Sequence, residues 1–171
     1  TAGPDAVISG VFVDPPGQST NEVYVSDLPW TSSTNGYGPA ERDMSVGDVR
    51  QGDGPPIKMA GITYAKGLGM HSVNGADGTS QAYAGVVVAL DGRYSRFQAL
   101  VGIDDDAQGN GSVVFQVWAD GVKLIDSGVV RGGAPPQWID VDVSGKSTLR
   151  LVVTDAGDGF YYDHADWADA R

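Results

Sequence analysis

The residues with the most chemistry to offer lie in the last sixteen positions, 156–171. There Phe160, Tyr161, Tyr162 and Trp167 are interleaved with Asp158, Asp163, His164 and Asp166. Rings beside carboxylates, amides and imidazoles suit a sugar. A pyranose offers an apolar C–H face to a ring and a fan of hydroxyls to fixed donors and acceptors. The same residue types recur in other polar stretches. Trp30 and Tyr37 are candidates for the ring, His71, Glu41 and Asp105 for the hydroxyls, and Asn110 and Tyr161 for the rim. Trp118 and Trp138 fall inside expected strands and read as core or face packing residues.

Other chemistries fit less well. A glycosidase pair needs two carboxylates set apart from the rest, and no two acids stand out here. There is no Gly-x-Ser-x-Gly nucleophile turn. The two histidines, His71 and His164, are too far apart in sequence for a His-x-x-x-His zinc site. Calcium is better served. Residues 104–110 crowd oxygen ligands without the spacing of an EF-hand loop, and Asp43 with Ser45 and nearby loop carbonyls could meet Asp166.

These residues must be held by strands. Phe97, Ala99, Val101 and Ile103 alternate with Gln98, Leu100 and Gly102, and Ile139, Val141 and Val143 alternate with Asp140 and Asp142. Leu149, Leu151 and Val153 repeat the pattern, and 112–119 is apolar on both faces. Asp91-Gly92 and Asp120-Gly121 are hairpin signals. Further strands are expected at 23–28, 57–64, 81–90, 122–126 and the C-terminal stretch, with 31–54 and 67–80 as loops. Eight or nine strands at roughly ten-residue spacing predict an all-β antiparallel sandwich. Val101, Ile103, Phe115, Val117, Ile139, Val141, Leu151 and Val153 should be its core. If consecutive strands are antiparallel, the loops 67–80, 104–111, 127–137 and 155–164 share one end. A first strand at 23–28 would deliver Trp30 and its long loop to the same end.

Composition narrows the partners. Acidic side chains outnumber basic ones 22 to 11, for a net charge of −11, which repels phosphate and argues against nucleic acid and anionic membranes as partners. All but Glu22 and Glu41 of the acids are Asp, a turn and calcium-site residue. No cysteine is present and no apolar run is long enough to span a membrane. Residues 1–21, broken by Pro4, Pro15, Pro16 and Gly17, read as a linker before a module at 22–171, with Thr1-Ala-Gly-Pro a candidate cut point in a longer protein.

Six motifs in order carry a resemblance. YVSDLPW (24–30), GYGPAERD (36–43), KGLGMH (66–71), FQALVGID (97–104), VFQVWADG (114–121) and DAGDGFYYDHADW (155–167) together resemble the NPCBM family, family 51 of the carbohydrate-binding modules. The resemblance covers residues 22–171. It implies a galactose-binding-like jelly-roll sandwich that binds galactose-type sugars without catalysis. It also implies attachment to a catalytic domain of a secreted bacterial glycoside hydrolase, and a structural calcium ion. The alternative is a sandwich of the same fold that packs on a neighbouring domain without binding sugar.

Overall fold

The computed structural model describes residues 22–75 and 83–171. The expected linker, and the start of the strand expected at 81–90, lie outside the described residues. Twelve strands are present among the described residues: β1 Trp30–Thr34, β2 Glu41–Arg42, β3 Lys58–Met59, β4 Ile62–Thr63, β5 Gly67–His71, β6 Ala84–Ala89, β7 Arg96–Ile103, β8 Ser112–Ala119, β9 Val122–Arg131, β10 Gln137–Asp142, β11 Thr148–Thr154 and β12 His164–Ala168. They form two five-stranded antiparallel sheets, ordered β1-β6-β11-β8-β9 (sheet A) and β10-β7-β12-β5-β2 (sheet B), with β3-β4 as a separate hairpin. From β6 to β12 every connection but β8–β9 crosses from one sheet to the other, the jelly-roll manner of closing a sandwich.

The core follows from the alternation. All eight residues expected inside are buried. Trp167 lies at their centre, with its ring centroid 5.1 Å from Phe115, edge-on, and 6.1 Å from Phe97. Trp167 faces inward, so Asp166 on the same strand faces outward. Here the outer face of sheet B is not open to solvent. Asp166 lies between Gly102 and Gly69, and Gly69 is opposite Glu41, so one cross-strand row reads Gly102, Asp166, Gly69, Glu41. The segment 43–64 folds over that row. A Cβ on Gly69 would stand 2.4 Å from the Ser45 carbonyl carbon, and one on Gly102 would stand 2.7 Å from Met59 Sδ.

Several expectations change. The strand expected at 57–64 is the hairpin β3–β4, and the loop expected at 31–54 holds most of β1 and all of β2. Residues 23–28 form no strand: Val25–Asp27 is a turn of 3₁₀ helix, and the first strand begins at Trp30. The carbonyls that a strand would offer to a neighbour are taken instead by the Arg42 guanidinium, on Ser26 and Leu28. The stretch 67–71, expected as loop, is a strand buried along its whole length. Its glycines suggest a loop, but they clear the outer face for the covering segment. Trp138 is not packed away. It stands 50% exposed on the edge strand β10, whereas Trp118 is half-buried under the Arg150 guanidinium, 4.7 Å from its ring.

Candidate functional site

Strand direction decides which loops meet. β7, β9 and β11 run one way, which we term upward, and β6, β8, β10 and β12 run down. β1 pairs antiparallel with β6 and β5 with β12, so both run upward. The upper end therefore gathers 35–40, 72–75, 104–111, 132–136 and 155–163.

A polar cleft of about 360 Å³ opens there, lined by Gly109–Ser112, Arg131, Gly132, Asp158, Gly159, Tyr161 and Asp163. Its walls are backbone pressed close to backbone. Gly111 has φ +82°, and a Cβ there would lie 2.2 Å from the Tyr162 carbonyl oxygen. Only glycine satisfies both demands. Asp163 forms the buried floor. It accepts from Ser72 Oγ at 2.5 Å and from Ser112 N–H at 3.0 Å, tying β5, β8 and the last loop together. Burial pushes its carboxyl up to about 6 against those two hydrogen bonds, with Asp158 and Asp155 adding to the rise. Above the floor, Asp158 accepts from Ser112 Oγ at 2.8 and 2.6 Å, and Arg131 stands 4.0 Å from Asp158. Asn110 donates to Ala107 O at 3.0 Å, which leaves its own carbonyl oxygen for a ligand. Tyr161, 76% exposed, forms the rim.

The rim ring is held from behind. Tyr161 stacks on Phe160 with centroids 5.0 Å apart and 17° between planes. Phe160 in turn meets His71 edge-on at 6.2 Å. His71 lies directly across from His164, their rings 5.6 Å apart, and Tyr37 is 5.8 Å away on another side. The His71 ring is buried, with Nδ1 against the Ser72 carbonyl at 3.0 Å. Burial, reinforced by His164, lowers its pKa below the ordinary histidine value, so it stays a neutral support. Tyr37 is half exposed and donates to Asp48 at 2.9 Å, which raises its phenol.

The structure thus brings Asn110 and Tyr161 to the cleft, with His71 and Tyr37 beside it. Three of the other sugar candidates are elsewhere. Trp30 lies at the lower end, because it starts β1 rather than ending a strand. Its indole N–H donates to Val25 O at 3.1 Å and the Arg42 guanidinium sits 3.7 Å over its ring. Glu41 is fully buried on the outer face of sheet B. Asp105 is engaged by the β3–β4 turn, accepting from Ala60 and Gly61 N–H at 2.9 and 2.8 Å. Sequence reasoning missed Arg131 and Ser112, and it singled out the stretch holding Asp158 and Asp163 without giving either a role in the site. The available signals were an arginine before paired glycines in an acidic chain, and Asp158 between Gly157 and Gly159.

The metal candidates also separate. Asp43 is occupied by the Lys66 ammonium at 2.8 Å and Gly67 N–H at 3.1 Å. Burial would lift its carboxyl, but these bonds hold it below the ordinary range. Asp166 is fully buried with both oxygens unpartnered, and Glu41 Oε1 and Ser45 Oγ are buried and unpartnered too. Burial, with Asp104 next to it, raises the Asp166 carboxyl well above its ordinary value. Orphaned oxygens of carboxylate and hydroxyl type are the donor set of a hard cation, so calcium fits. Among the described residues no three Asp, Glu, His or Cys side chains gather to hold a metal alone, so such an ion would also need hydroxyl and carbonyl oxygens.

Comparison with known proteins agrees with this architecture. The chain is 38% identical over 157 residues to a putative endo-alpha-N-acetylgalactosaminidase of Renibacterium salmoninarum, covering 91% of this chain and 10% of that protein. It is 32% identical over 114 residues to alpha-1,3-galactosidase B of Akkermansia muciniphila, covering 66% of this chain and 13% of that protein. The chain therefore spans only about a tenth of the length of these relatives. Among solved structures, it superposes on CBM51 from Clostridium perfringens GH95 in complex with methyl-galactose with a TM-score of 0.72 at 34% identity, covering 86% of this chain and 97% of that one. It superposes on CBM51-2 with GlcNAc and INT domains from Clostridium perfringens ZmpB with a TM-score of 0.71 at 33% identity, covering 86% and 30%. A family model, the NPCBM/NEW2 domain, matches residues 21–171, and with nearly the whole described chain inside that match the protein belongs to the NPCBM/NEW2 family.

Proposed function

We propose that the chain is a non-catalytic carbohydrate-binding module, part of a longer glycoside hydrolase, that holds a galactose-type pyranose in the upper cleft. The observation that carries this reading is the pairing of an exposed Tyr161 ring with Asn110, Arg131 and Asp158 around one polar cleft. Tyr161 meets the apolar face of the sugar, Arg131 donates to hydroxyls, and Asp158 and the Asn110 carbonyl accept from them. The floor residues Asp163 and Ser112 are spent on each other and hold the cleft in shape. The relatives support the choice of sugar, since one is named for galactosidase activity and one solved neighbour holds methyl-galactose. Calorimetry against a panel of galactosides tests the proposal. Wild-type binding that disappears in Tyr161→Ala and Asp158→Asn is the expected result. A protein that binds none of the galactosides would favour a role in packing on a neighbouring domain.

We also propose that Asp166, Glu41 and Ser45 hold a structural calcium ion beneath the segment 43–64. The support is the set of buried oxygens without partners. The ion would neutralise the buried carboxylates and pin the covering segment to sheet B.

A further inference from the structure

A second feature with chemistry lies away from the cleft, on the outer face of sheet B. Trp138 projects there from β10 opposite Leu100, and one row lower Asp140 is opposite Gln98. Gln98 and Arg171 exchange both backbone hydrogen bonds, at 2.8 and 2.9 Å, so Arg171 continues that lower row. The side chains around the ring are fixed by one another. Arg96 donates to Asp140 Oδ1 from Nε at 2.9 Å, Gln98 Nε2 donates to Asp140 Oδ2 at 3.2 Å, and the Arg171 guanidinium lies 5.9 Å from the indole.

We propose that this face is a second carbohydrate contact. The exposed side of the Trp138 indole takes the apolar face of one pyranose in a longer glycan, while Asp140 and Gln98 meet its hydroxyls. A tryptophan exposed over half its surface on a regular strand leaves a large apolar area in water. Among the described residues of β7 and β10 it is the one strongly exposed large apolar side chain. One ring is the footprint of one sugar, whereas a stable protein contact needs on the order of 1,000 Å² with an apolar centre. The polar neighbours are already oriented, and a carboxylate oxygen that accepts one hydrogen bond keeps capacity for another. Binding therefore orders little that is not ordered already. Two sites on one rigid sandwich that reach the same glycan would hold it by avidity. The contact at Trp138 does not depend on what the cleft binds, whereas the gain from avidity rests on the cleft reading.

Nuclear magnetic resonance of the indole N–H groups reads it directly, because the chain has four tryptophans, Trp30, Trp118, Trp138 and Trp167. The Trp138 signal is assigned by its absence in Trp138→Ala. Galactotriose at millimolar concentration, added to Tyr161→Ala to silence the cleft, should shift the Trp138 signal and leave that of buried Trp167 in place. On a mucin-coated surface, Trp138→Ala should dissociate about tenfold faster than wild type, with its affinity for methyl galactoside unchanged. A still Trp138 signal together with unaltered dissociation overturns the proposal. So does a concentration-dependent dimer that Trp138→Ala abolishes, which would make the face a protein contact. If methyl galactoside never engages the cleft yet galactotriose shifts Trp138, the cleft reading fails and this one stands.

Discussion

At the scale of single residues, the cleft separates groups that touch a ligand from groups that hold the walls. Tyr161, Arg131 and Asp158 are more than half exposed and contribute little to packing. Tyr161→Ala and Asp158→Asn should each weaken galactoside binding by about 1–3 kcal/mol, the cost of losing one polar or stacking partner, and the melting temperature should move little. Asp163 behaves oppositely. Its folded-state pKa, about 6, lies above the ordinary 3.8, so the folded protein binds this proton more readily than the unfolded chain. The stability linked to that proton is fully present below about pH 3.8 and is lost as pH rises through about 6. Asp163→Asn keeps an acceptor for Ser112 N–H and removes the buried charge. The variant should melt higher than wild type near neutral pH, with the gap closing towards about pH 4. Melting curves of the two proteins across that range check it, and since Asp166 is common to both, its own shift cancels.

At the scale of elements, the site is made by close approach between loops, which is why it was only partly legible in the sequence. Alternation announced β7, β10 and β11, and polarity correctly grouped the loops 104–111 and 155–163. What could not be read was which glycines mark turns and which mark contact. Gly67 and Gly69 looked like loop residues, yet they lie in a buried strand because the segment over them needs the space of a missing side chain. Glu41 was hidden for a similar reason, since a strand of two residues has no period to detect. The strand expected at 23–28 placed Trp30 at a strand's close. In fact the proline ends a 3₁₀ turn and Trp30 opens β1. Gly111→Ala tests the contact argument. It combines a left-handed backbone with a Cβ 2.2 Å from Tyr162 O, so it should lower the melting temperature and abolish sugar binding together. Calorimetry and thermal unfolding on one preparation suffice.

At the scale of the whole molecule, the sandwich has an apolar interior and, under its covering segment, a buried polar seam. The interior is aliphatic and aromatic around Trp167, and its eight foreseen members need no special conditions to stay buried. The seam under the segment 43–64 holds the orphaned oxygens of Asp166, Glu41 and Ser45. An ion bound there only in the folded state stabilises by mass action. Removing it with a chelator should lower the melting temperature, and added calcium should restore it. Asp166→Asn should melt at the same temperature with and without chelator. An unchanged melting temperature on chelation, with no calcium in elemental analysis, would dismiss the ion.

The lower pole has a mechanical meaning. Val25 N–H bonds to Ala170 O at 2.9 Å, and the Arg171 guanidinium lies 3.5 Å from Glu22, so both described ends of the chain lie together, opposite the cleft. A pull between the proposed cleft and this pole therefore runs along the strands. Ladder hydrogen bonds lie across that direction, so the load shears many of them at once instead of opening them one by one. The load enters through the cleft loops, which Asp163 ties to Ser72 after β5 and to Ser112 at the start of β8. With a sugar in the proposed cleft, tension towards this pole therefore meets the sandwich along the direction in which its ladders resist together.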